Sequence, residues 1–233
     1  MGAAALARRE LWLLIAVPTG VLGLLAAGAL SRPLAHPSSD YFRFVALLAG
    51  MALLGTCVVL GLEDPRRRGA LAARLWRWRL RVAGVWLAAE LALLVASAAG
   101  ASGRTVSTVG ASTVLSYVQV LVNGRVSVLV AGCVLGALLL TVLARQSQWA
   151  TGPVAALTMV ALIARPLTGH SATTGALAQV TIVAHVLAAS TWCGGLAVLA
   201  VVAGTARGGW ARLLPRFSRL AAWCVAVVAV SGV

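Results

Sequence analysis

Residues 177–203 read LAQVTIVAHVLAASTWCGGLAVLAVVA, twenty-seven positions without an aspartate, glutamate, lysine or arginine. About 20 mostly apolar residues cross roughly 30 Å of hydrocarbon as a helix, so this run reads as a membrane span with a few polar positions set along it. Further spans are expected at 11–30, 41–62, 82–99, 126–144, 149–167 and 217–233. The fold class is therefore an all-α polytopic transmembrane bundle of about seven spans, one unit over residues 1–233. The last run is still apolar where the sequence stops, which leads us to expect a C-terminal truncation and an eighth helix beyond it.

Composition supports the same class. The chain has 233 residues, 61% hydrophobic and 10% charged, with a mean hydropathy of +0.97, whereas a soluble domain is about half apolar and about a quarter charged. All the positive side chains behind the net charge of +14 are arginine. So apolar a chain offers no basic groove for nucleic acid, and anionic lipid headgroups account for the charge. The absence of lysine and the excess of Ala, Leu, Val and Gly fit a bias toward GC-rich codons. Cys57, Cys133, Cys193 and Cys224 lie far apart in apolar runs, so neither a disulfide framework nor a zinc knuckle is indicated.

Arginine also orients the chain. With the N-terminus in the cytoplasm, Arg8, Arg9, Arg66, Arg67, Arg68, Arg74, Arg77, Arg79, Arg81, Arg145, Arg207, Arg212, Arg216 and Arg219 fall inside, and Arg32, Arg43, Arg104, Arg125 and Arg165 outside. Fourteen against five satisfies the positive-inside rule. Span 11–30 ends in an A-x-A-like pattern at Ala27-Gly28-Ala29, but its apolar run exceeds a signal-peptide core, and a retained helix is expected. Segment 63–80 is expected to be an inner loop, a positive-inside stop signal with the alternative of lying among headgroups on Trp76 and Trp78. Outer stretch 100–125 is rich in Ser, Thr and Gly, and its apolar patch at 114–122 suggests a short surface or re-entrant helix.

Polar groups inside spans are the informative positions, because a charge at mid-bilayer costs about 2.5–3.5 kcal/mol on insertion scales. Glu90, in the middle of span 82–99, has three options: pairing with an arginine, carrying a proton, or lining a cation path. Its structural alternative is a neutral, hydrogen-bonded carboxyl. All three histidines fall on the outer half under this topology, and a tight turn at Gly175 allows His170 and His185 to approach as a ligand pair. His36 is a further candidate beside Pro33 and Pro37. Imidazole suits copper, zinc or haem iron, and soft sulfur nearby favours Cu(I). Met51, Met159, Cys57 and Cys193 lie mid-span, where such residues most often fill space. His185, Ala188, Trp192 and Gly195 share one helix face, and Ser190-x-x-x-Gly194 and Thr191-x-x-x-Gly195 allow a neighbouring helix to come close.

Leu167-Thr168-Gly169-His170-Ser171, the run from His185 through Trp192-Cys193-Gly194-Gly195-Leu196, and Arg216-Phe217-Ser218-Arg219-Leu220-Ala221 together resemble the copper resistance protein D (CopD) family of bacterial inner-membrane proteins. The motifs occupy 164–233; before that only the helix count and the Gly124-Arg125 junction match. The resemblance implies a polytopic protein of the cytoplasmic membrane, usually with eight helices, that takes up or handles copper, often beside an extracytoplasmic copper-binding partner of the CopC type. It makes His170 and His185 the candidate copper ligands, with Trp192, Gly194 and Gly195 as the packing motif beneath them. On a copper-transport reading, His36, Met51, Glu90, Met159 and Cys193 are the further candidates for a metal pathway through the spans. Cys193 stands where the family has an aliphatic residue. In GC-rich Gram-positive bacteria similar regions are fused to a cytochrome-oxidase assembly domain, which implies copper supply for oxidase maturation.

Two alternatives belong to other classes. His170 and His185 ligate haem in a membrane electron carrier, or the bundle is a non-transporting scaffold for oxidase assembly. No H-E-x-x-H, P-loop, nucleophile elbow or paired acids occur in the chain, so no enzyme is expected.

Overall fold

The computed structural model describes residues 37–145, 147–168, 175–203 and 209–232. Its helices are α1 (Pro37–Leu62), α2 (Pro65–Ser102), α3 (Ala111–Val120), α4 (Val122–Leu143), α5 (Thr151–Leu167), α6 (Ala176–Ala203) and α7 (Gly209–Ser231), with a single 3₁₀ turn at Val106–Thr108. Among the described residues there is no strand. Five helices, α1, α2, α4, α6 and α7, are long and apolar enough to cross a membrane, and α5 is a shorter apolar helix of 17 residues. The expected helical membrane bundle is what forms. The span expected at 11–30 lies outside the described residues.

Helix α1 is the centre of the bundle and packs against α2, α5, α6 and α7. The larger core joins α1, α2, α4 and α5 around Leu53, Trp86, Val130, Val134 and Val154. A second core, built from Leu60, Leu75, Leu199, Leu213 and Phe217, joins the end of α1 and the start of α2 to α6 and α7. Buried hydroxyls turn back onto their own helices: Thr141 and Thr158 each donate to the carbonyl four residues earlier at 2.7 Å, and Thr56 donates to Leu53 O at 2.6 Å. Apolar surroundings offer them no water, so the local bond satisfies the group.

Segment 63–80 is helix rather than loop, a correction to the sequence reading. Asp64 accepts from the Arg66 backbone N–H at 2.9 Å, Pro65 occupies the first turn, and α2 then runs without a break for 38 residues. Both features are standard helix starts. Leu71, Ala72, Leu75 and Arg79 form the buried face, and the other arginines cover the rest. Helix periodicity and the good helix propensity of arginine outweigh its role as a stop signal. At about 1.5 Å per residue α2 is about 57 Å long, well beyond the roughly 30 Å hydrocarbon layer. It ends at Gly103, whose φ of +65° is a left-handed cap.

Two glycine contacts fix the packing. Methyl groups added at Gly55 and Gly194 would overlap the Gly194 and Met51 carbonyls respectively, so α1 and α6 meet backbone to backbone. Gly195 lies directly against the Phe217 ring of α7. The apolar patch of the outer stretch forms α3, and a methyl at Gly124 would collide with the Tyr117 carbonyl, which presses α3 onto the start of α4.

Candidate functional site

His185 is the tenth residue of α6 and faces α7, where its Nδ1 lies 3.1 Å from Ser231 Oγ. The Ser231 hydroxyl spends its hydrogen on Val227 O at 2.6 Å, so its oxygen accepts from His185 Nδ1–H. With Nδ1 anchored in this way, Nε2 is the ring nitrogen left to face a metal. Nothing in the sequence reading pointed to Ser231. The signal was a serine at the far end of an apolar helix that pairs with the histidine helix.

The expected partners distribute as follows. His170 and His36 lie outside the described residues. Cys193 is exposed on the outside of the bundle, and Met159 is half-buried against the larger core. Met51 contributes its carbonyl to the contact with Gly194. Trp192 packs against the second core. Among the described residues no three of His, Cys, Asp and Glu come close enough to hold a metal ion.

A second polar region lies around Glu90. This side chain is 4% exposed and forms an ion pair with Arg165 through Oε2, while Oε1 accepts from Trp86 Nε1 at 3.2 Å. Of the options open to Glu90, pairing with an arginine is the one adopted. The pair lines a cleft of about 510 Å³ walled by residues of α1 through α6, with Arg43, Tyr117 and Asn123 also on its wall. Two arginines against one glutamate leave the cleft with a net positive charge, which opposes cation entry beside Glu90. The sequence placed Arg165 on the outer side at the end of span 149–167; it stands in the last turn of α5, just before Pro166, and its side chain reaches Glu90 inside the bundle.

A further buried arginine was not anticipated. Arg79 is 5% exposed, and its Nη2 donates to Cys57 Sγ at 3.8 Å. Elsewhere at that end, Trp76 Nε1 donates to Thr141 O at 2.9 Å while the Arg145 guanidinium lies 4.9 Å above the indole ring. These contacts and the bond from Arg216 to Leu62 O gather the arginine-rich segments at one end of the bundle, opposite the Glu90 cleft.

A bundle of apolar helices around buried, paired polar groups is a multi-pass membrane protein. Residues 39–180 match the family model described as "Copper resistance protein D-like, N-terminal domain", more than half of the chain, and the protein belongs to that family. The match takes in α1 to α5 and ends five residues before His185. No curated protein and no solved structure matches the chain.

Proposed function

We propose that this copper-resistance-family protein handles copper as cargo in the bacterial cytoplasmic membrane, taking it up from the outer side with His185 Nε2 as one ligand and His170 as its partner. The observation that carries this reading is the anchoring of His185 Nδ1 by Ser231, which leaves Nε2 as the ring nitrogen for an incoming ion. Neutral imidazole binds copper well, and an anchored ring loses little freedom on binding. Exchange with an extracytoplasmic CopC-type protein and supply of copper for oxidase maturation follow from family resemblance. No catalytic step is assigned.

The positive charge of the Glu90 cleft argues that copper does not pass beside Glu90. On this reading Glu90 and Arg165 hold α2 to α5 and take no part in a metal pathway.

The test is the copper and iron content per chain of detergent-purified protein, loaded with copper under reducing conditions, for wild type and His185→Ala. Near-stoichiometric copper that disappears in the variant supports the proposal. Haem iron with an intense band near 400 nm replaces it with the electron-carrier reading, and no metal in either protein favours the scaffold.

A further inference from the structure

At the arginine-rich end the last turn of α1 offers its carbonyls to guanidinium groups. Arg68 Nη2 donates to Gly61 O at 3.3 Å and Glu63 O at 3.2 Å, and Arg216 Nη1 donates to Leu62 O at 2.8 Å. Together with Arg219 they line an open concavity of about 480 Å³ between the α1–α2 turn and α7. Glu63 is the carboxylate on its wall; it is buried, accepts from the Asp64 N–H at 3.0 Å and lies 3.9 Å from Arg212. The charge of the concavity is therefore positive, and its donors are not used up. Arg68 Nε is buried without a partner, and Arg219 has no partner among the described residues.

Guanidinium groups with free donors in a partly desolvated hollow match phosphate oxygens, which accept two N–H bonds from one arginine. The setting identifies the source of the phosphate. Arg216, Arg219 and Trp223 follow the i, i+3, i+7 spacing of one face of α7, and Trp223 is 74% exposed. An exposed indole one turn from an arginine is the arrangement found where headgroups meet acyl chains. We propose that this concavity binds the phosphate of an anionic phospholipid headgroup in the leaflet at the arginine-rich end, with Arg68, Arg216 and Arg219 as its donors. The bound lipid ties the α1–α2 turn to α7, which otherwise meets the rest of the bundle mainly through α6.

The test uses the full chain in phosphatidylcholine nanodiscs with or without phosphatidylglycerol, followed by release into mild detergent and native mass spectrometry. Wild type is expected to retain one phosphatidylglycerol per chain. Arg216→Gln with Arg219→Gln removes two of the three donors and is expected to cut the retained fraction at least about tenfold, the equivalent of one charge-assisted hydrogen bond as a lower bound. Arg66→Gln with Arg67→Gln removes the same charge outside the concavity and is expected to leave retention within roughly twofold, because surface charge acts only diffusely. Arg219→Gln alone breaks no bond of the fold and reports lipid loss even if the double variant misfolds. Equal loss in the inside and outside pairs, retention in both, or equal occupancy by inorganic phosphate with no added effect of phosphatidylglycerol would overturn the proposal.

Discussion

Glu90 and Arg165 show what a charge inside this bundle requires. Each would be costly alone in apolar surroundings, and together with Trp86 they satisfy both carboxylate oxygens. Removing one partner leaves the other stranded. Arg165→Met is expected to destabilise the protein by about 3 kcal/mol, the low end for a broken buried pair because Arg165 is 27% exposed on the cleft side. Adding Glu90→Gln to that variant should recover most of the loss. Thermal unfolding of the single and double variants in one detergent checks this, and a double variant as unstable as the single one would contradict it. Ser231 acts at the same scale: Ser231→Ala frees the His185 ring, and copper affinity is expected to fall about tenfold, measured by competition with a chromophoric chelator. Unchanged affinity would separate the serine from the metal. Glu90 was legible in the sequence because an acid in an apolar run is rare, whereas Arg165 and Ser231 were not. Their partners sit 75 and 46 residues away, and one sequence carries no trace of such pairings.

At the scale of elements, the contact of α1 with α6 is the least forgiving. The Gly55 and Gly194 backbones touch, so Gly194→Leu has no room and should prevent native packing, with loss of folded protein on size-exclusion chromatography. Gly84 in α2 has nothing within 4 Å of an added methyl. There Gly84→Ala should leave stability unchanged or raise it by up to about 1 kcal/mol. Spans 41–62, 126–144, 149–167 and 177–203 were read within a few residues of the helices that form, because uninterrupted apolar length is a strong signal. The start of α2 was misread for a physical reason. Seven arginines within sixteen residues raise polarity enough to hide a buried face only a few residues wide, while the Asp64-Pro65 start signal stood in plain view. Segment 100–125 was read correctly as holding a short helix, displaced by a few residues.

For the whole molecule, the arginine distribution and the contacts agree on which groups share an end. Arg66→Cys and Ser107→Cys, each on a background with the four native cysteines replaced by serine or alanine, should label from opposite sides of sealed vesicles with a membrane-impermeant maleimide. Position 66 should react only from the cytoplasmic side. Labelling of both from one side would reverse or refute the arrangement. Of the histidines, His185 lies beside Ser231 at the end of α7 away from Arg216, the side expected of it, and His36 and His170 lie outside the described residues. Helix α2 links the two ends. Glu90 lies 24 residues from Arg66 on one unbroken helix, a span of about 36 Å at 1.5 Å per residue. A rigid axle of that length turns at both ends at once, so any rotation that widens the Glu90 cleft must swing the arginine collar at the opposite face by the same angle.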